Sequence, residues 1–183
     1  MSEIEGLLDA YEQTVRVPWQ RDLAGPQKAW CAIYDPVQER RLRLRLADFQ
    51  IATEKSGHSW KLVDITGAFA EWMARHRYRN AYFEEPDDMK LALDAFAKEL
   101  ARAVIGALNA PDTDENTVVA ILGLASLFGL ARASALLDTV APSVRGRLLI
   151  FFPGHYENSN YRLLDARDGW NYLAVPITAT PGK

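Results

Sequence analysis

Residues 117–154 read TVVAILGLASLFGLARASALLDTVAPSVRGRLLIFFPG, and this stretch decides the fold. TVVAILG (117–123) is short, apolar and rich in β-branched residues, which marks a strand. RLLIFFPG (147–154) is a second run of this kind, stopped by Pro153-Gly154. Between them, LFGLARASALLDTVAP reads as a helix that ends before Pro142. Neither run alternates apolar with polar residues. Each strand is therefore expected to be buried on both faces, as in a parallel sheet covered by helices.

The same alternation extends outward. Towards the N-terminus, KAWCAIYDP (28–36) is a first strand and SWKLVDI (59–65) a second. The segment between them, PVQERRLRLRLADFQIATEKSG, is ambiguous. LRLRL alternates with period two, but Leu42, Leu46 and Phe49, with Leu44, Ala47 and Ile51, form a helical face. Length decides for one helix, ending near Gly57. TGAFAEWMARH is a further helix with Thr66 near its cap. The acidic first turn at Pro86-Asp87-Asp88 opens another, striped by Met89, Leu93, Phe96, Leu100, Val104 and Leu108. YLAVPI (172–177) is a fifth strand, which Pro176 places at an edge. The predicted fold is a Rossmann-like three-layer α/β sandwich with a mostly parallel sheet of about five strands. Residues 1–27 form an N-terminal helix and linker, 28–177 a single α/β domain, and 178–183 a flexible tail.

With 183 residues the chain is one domain by length and can bury roughly 70% of its unfolded surface. Hydrophobic residues at 49% and charged residues at 25% suit a soluble protein, and a net charge of −3 offers no basic field to nucleic acid or an anionic membrane. Residues 1–17 lack the basic-then-apolar pattern of a signal peptide, and no apolar run spans a bilayer, so a cytoplasmic location is expected. Cys31 is single and reads as a small buried core residue.

Catalytic templates fail one by one. G-x-x-x-x-G-K-[ST] is absent, so there is no Walker A loop, and G-x-G-x-x-G is absent too. GLASLFG (123–129) could turn amides towards an anion, but Leu127 and Phe128 fill its turn and it carries no lysine. Ser126 and Ser134 lack the nucleophile elbow. His58 and His76 read as solvated, while His155 follows a strand's carboxyl end. Asp35, Asp64 and His155 make a possible degenerate nucleotide or metal site, which Glu157, Asp165 and Asp168 could join, although Arg162 and Arg167 are placed to pair those acids. Arg40, Arg41, Arg43 and Arg45, with Arg75, Arg77 and Arg79, could form a DNA-contacting stripe, Arg41 and Arg45 sharing a helix face. Acidic neighbours dilute it, so direct nucleic-acid binding is not expected. No catalytic residue, cofactor or metal ligand is assigned.

NSNYRLLDARDGWNYLAVPI (158–177) answers to none of these templates. Tyr, Trp and Arg anchor protein interfaces, and here they are dense behind a buried strand. The expected partner-binding surface is Tyr156, Glu157, Asn160, Tyr161, Arg162, Asp165, Arg167, Asp168, Trp170 and Asn171.

This stretch resembles the BrxB family of the bacterial BREX anti-phage systems. The resemblance rests on three blocks in order: WKLVDITGAFAEWMARHRYRNAYFEEPDDM (60–89), AILGLASLFGLARASALLDTVAP (120–142) and FFPGHYENSNYRLLDARDGWNYLAVPI (151–177). It implies a small cytoplasmic, non-catalytic subunit of a multi-protein defence complex. The implied partners are the PglZ-type phosphatase-fold protein and the large ATPase of the same system.

Overall fold

The computed structural model describes residues 1–167 and 169–179. Its centre is an α/β arrangement around a mixed, open sheet of seven strands. Strands β1 (Ala29–Tyr34), β2 (Ser59–Asp64), β3 (Thr117–Leu122), β4 (Arg147–Glu157) and β7 (Val175–Ile177) run in the order β2-β3-β4-β1-β7, all parallel. Strand β5 (Asn160–Leu163) adds antiparallel to the far end of β4, and β6 (Trp170–Asn171) antiparallel to β5.

The apolar runs of β1, β3 and β4 are buried on both faces because each face meets its own helices. Cys31, Ile33, Val119, Ile121, Ile150 and Phe152 point to one side. There they pack on α4 (Ala68–Arg75), α6 (Leu93–Leu108) and α7 (Ala133–Val140). Trp30, Ala32, Tyr34, Val118, Leu149 and Phe151 point to the other. Opposite them lie α1 (Glu3–Arg16), α2 (Glu39–Leu44) and α3 (Leu46–Lys55). Burying one such Leu, Ile or Phe is worth about 1.5–3 kcal/mol.

Helix α1 starts at a capping box, in which the Ser2 hydroxyl accepts from Glu5 N–H and the Glu5 carboxylate accepts from Ser2 N–H. Its Ile4, Leu7, Tyr11 and Val15 belong to the core, and the Tyr11 and Thr53 hydroxyls bond at 2.6 Å. Ala179 lies against this helix. A Cβ built on Gly6 would lie 3.2 Å from Ala179 O, so glycine lets the last described residues run against α1.

Several boundaries differ from those expected. The single helix over 36–57 is a short 3-10 turn (Pro36–Gln38) and two helices, because the chain turns at Arg45 (φ −107°, ψ 6°). The helix after β3 begins only at Ala133, since residues 124–127 form a 3-10 turn between Gly123 and Gly129, both at positive φ. A short α5 (Arg79–Glu84) precedes a 3-10 stretch (Pro86–Ala92), so the Pro86 turn leads into α6 rather than starting it. The fifth strand is confined to Val175–Ile177 and takes the edge beside β1, Pro176 included. Among the described residues, no helix is long and apolar enough to cross a membrane.

Candidate functional site

Strand β4 does not stop at Pro153-Gly154. Its first seven residues lie in the parallel sheet, and it continues past β3, whose pairing ends at Ile121↔Ile150. The missing N–H of Pro153 thus falls where no β3 partner remains, while its carbonyl accepts from Leu164 N–H at 2.9 Å. Gly154 makes the next step possible. A Cβ there would sit 2.1 Å from Arg162 O and 3.0 Å from Leu164 N, so a side chain would push β5 away. Beyond it Gly154↔Leu163, His155↔Arg162, Tyr156↔Tyr161 and Glu157↔Asn160 pair as a hairpin. Asn158 (φ 50°) and Ser159 (φ 63°) form its two-residue turn, with the doubly positive φ of type I′.

Period two sorts the hairpin into two faces. Towards the core, the Tyr161 ring lies 4.7 Å from Tyr156 and 5.6 Å from Phe152, and Trp170 lies 5.6 Å from Phe152. The Tyr161 hydroxyl donates to Ala174 O at 2.6 Å, and that of Tyr172 to Leu137 O at 3.3 Å. Burial raises both phenols above their ordinary range. Tyr161 is fully buried, so its place in the expected contact surface is corrected: it is a core residue that fastens the hairpin down. Tyr156 and Trp170 are half-buried in the same layer.

Outward stand His155, Glu157, Asn160, Arg162 and Asn171, with Asp165 and Arg167 exposed on the following turn. His155, Glu157, Asn158, Asn160, Arg162 and Gly169 line a shallow cleft of about 180 Å³. Asp168 lies outside the described residues. Arg162 and Arg167 were expected to pair the nearby acids, yet no ion pair among the described residues includes them. Cross-strand register explains part of this, because it sets Arg162 opposite His155 rather than Glu157.

The proposed Asp35, Asp64 and His155 cluster does not assemble. Asp64 ends β2 and Asp35 follows β1, with β3 and β4 between them, so three inter-strand spacings separate them by about 14 Å. Asp64 is already engaged, accepting from Thr66 N–H (2.9 Å) and the Thr66 hydroxyl (2.5 Å), with Arg43 at 3.5 Å. Partial burial raises the Asp64 carboxyl, but the Thr66 hydrogen bonds and the Arg43 charge outweigh it and hold the group below the usual carboxylate range. Arg43 also binds Glu39 (2.7 Å), which accepts from the Tyr34 hydroxyl (2.5 Å). This chain of bonds bridges the carboxyl ends of β1 and β2. Asp35 caps the turn at Val37, accepting its N–H at 3.0 Å. It shares a cleft of about 390 Å³ with His155, Glu3 and Glu157. No group of three His, Cys, Asp or Glu among the described residues could hold a metal ion.

No family model, curated protein or solved structure matches the chain. Residue chemistry alone therefore sorts the remaining candidates. The loop over 123–129 closes on itself. Gly123 presses against Thr66, where a Cβ would sit 2.3 Å from Oγ1, and the Ser126 and Phe128 amides bond Gly123 O and Ala125 O. Arg41 and Arg45 share no continuous helix, since α2 ends before Arg45. Arg43, Arg45 and Arg75 are paired to acids, and Arg79 donates to Ala74 O. His58 is not simply solvated: it stacks on Trp19 at 3.7 Å and bonds Asn116 at 2.6 Å. His76 lies 4.8 Å from the Trp72 ring. Cys31 is buried, and burial pushes its thiol up to about 12, leaving it inert.

Sequence reasoning missed Arg147, the first residue of β4. It is 5% exposed, lies 5.0 Å over the Trp19 ring and 5.8 Å from that of Trp30, and donates to Gln20 O at 2.9 Å. The signal was a charged residue opening an otherwise apolar strand, with a tryptophan in the linker to receive it.

Proposed function

We propose that the chain is a non-catalytic interaction subunit of a BREX anti-phage defence complex. In this reading a three-layer α/β body, cytoplasmic in location, presents the β4–β5 hairpin to the PglZ-type phosphatase-fold protein or the large ATPase. One observation carries it. The hairpin is fastened from below by Phe152, Tyr161 and Trp170, while Arg162 on its outer face and Arg167 on the following turn have no carboxylate within ion-pair distance among the described residues. A preorganised surface with unspent donors suits a polar, charge-assisted contact, since little ordering cost remains on binding.

The test is affinity capture of the chain co-expressed with the other subunits of its system. The wild type should co-elute with the phosphatase-fold protein or the ATPase. The double change Arg162→Ala and Arg167→Ala should abolish co-elution while the melting temperature stays within about 2 °C, as surface substitutions usually cost under about 0.5 kcal/mol. Retention of the complex by the double variant sinks the hairpin reading.

A further inference from the structure

On the face of the sheet away from α6, a groove of about 770 Å³ runs between α1 and the edge strand β7. Its volume falls within the range of small-molecule sites. Val17, Leu23, Val175 and Ile177 supply apolar wall, and Trp19, Trp30 and Arg147 form one end. One feature of that end points to a ligand. The Arg147 side chain carries five N–H donors, of which Gly146 O (3.0 Å) and Gln20 O (2.9 Å) take two. It is buried, and no carboxylate pairs with it among the described residues. Buried guanidinium groups are otherwise found paired, because an uncompensated charge out of water is costly.

The occupant must therefore bring acceptors and negative charge to that end and an apolar body along the wall. Among the described residues Asp9 is the one acidic residue lining the groove, and no bond from it reaches Arg147. An added peptide strand is a poor fit: β7 has three residues, and Pro176 removes a backbone donor from this edge. We propose that this groove binds a small carboxylate with an apolar body, its carboxylate on the Arg147 guanidinium and its body between Trp19 and β7. Guanidinium and carboxylate are matched for two parallel charge-assisted bonds, and Val17, Leu23, Val175 and Ile177 suit the apolar part. Arg147 stands at the opposite end of β4 from the hairpin, so the proposal is tested apart from the docking function.

The experiment is isothermal titration calorimetry of the full chain with 4-phenylbutyrate and with decanoate, each beside its primary amide. At least one acid should bind with Kd below about 1 mM, and its amide at least tenfold more weakly. Val175→Trp, which fills the groove from its exposed rim and leaves Arg147 in place, should remove binding while circular dichroism and melting temperature are retained. Arg147→Lys, if folded by the same criteria, should lose most of the preference for acid over amide. Absence of binding by both acids to the folded chain, or equal affinity for acid and amide, overturns the proposal. Binding of a short apolar peptide through its free C-terminus, with no binding of the small acids, overturns it too and assigns the groove to a protein partner.

Discussion

Tyr161 separates two accounts of the hairpin, and its truncation gives each a different number. As a contact residue, Tyr161→Ala would leave the isolated chain as stable as before. As the fastener described above, it is fully buried, touches Phe152 and Tyr156, and donates to Ala174 O at 2.6 Å. Tyr161→Phe keeps the ring and strands that buried carbonyl, which costs about 1–2 kcal/mol. Tyr161→Ala also loses the ring and leaves a cavity, for about 3–5 kcal/mol. In a chain of this size 1 kcal/mol moves the melting temperature by about 2–4 °C. The phenylalanine variant should therefore melt roughly 2–8 °C lower and the alanine variant at least about 6 °C lower. Calorimetry with urea unfolding by far-ultraviolet circular dichroism measures both. A phenylalanine variant within 1 °C of the wild type would refute the role given to the Ala174 bond, and an alanine variant equally unaffected would refute burial itself.

Three further outcomes follow from other sites. Gly123→Ala should destabilise by about 2 kcal/mol or more in urea, because its φ is +94° and the new Cβ would lie 2.7 Å from Thr66 N. The Asp64 carboxyl is held below its unfolded value, so its contribution is complete above about pH 4 and is lost as pH falls through the folded value. Asp64→Asn should therefore lower the urea midpoint at pH 6 by a margin that closes as pH falls below about 4. The margin is small, about 1 kcal/mol at most, since the side chain is 45% exposed. Cys31 should resist iodoacetamide at pH 8 in the native chain and label fully in urea, and mass spectrometry of the intact chain reads both states.

The parallel sheet was legible because its three central strands are apolar without alternation, which only burial on both faces explains. The edges of elements were harder. Pro153-Gly154 looks like a stop, and in most strands it would be one. Here the proline lies beyond β3 and the glycine admits β5, facts of register that no local rule contains. The hairpin itself was hidden by its turn, since Asn158-Ser159 lacks the glycine that usually advertises two positive φ values. Yet Asn160, Tyr161, Arg162 and Leu163 do alternate, and that period alone assigns Tyr161 to the inner face. Asp35 and Asp64 show the opposite failure. Both stand at carboxyl ends as expected, and only the strand order, with two strands between them, keeps them apart.

That strand order also bears on how the chain is made. β1 leaves the ribosome long before either of its neighbours in the sheet: Ala29 pairs with Leu148, and Ala32 with Ile177. At ordinary translation speeds the interval before Leu148 emerges is on the order of ten seconds. Throughout it, Trp30, Cys31, Ile33 and Tyr34 have no strand to lie against, and α1, whose buried face rests on that strand, has no finished surface to close on. The nascent chain thus carries a strand destined for full burial unpaired until β4 follows it, a stretch that a chaperone at the tunnel exit is suited to cover.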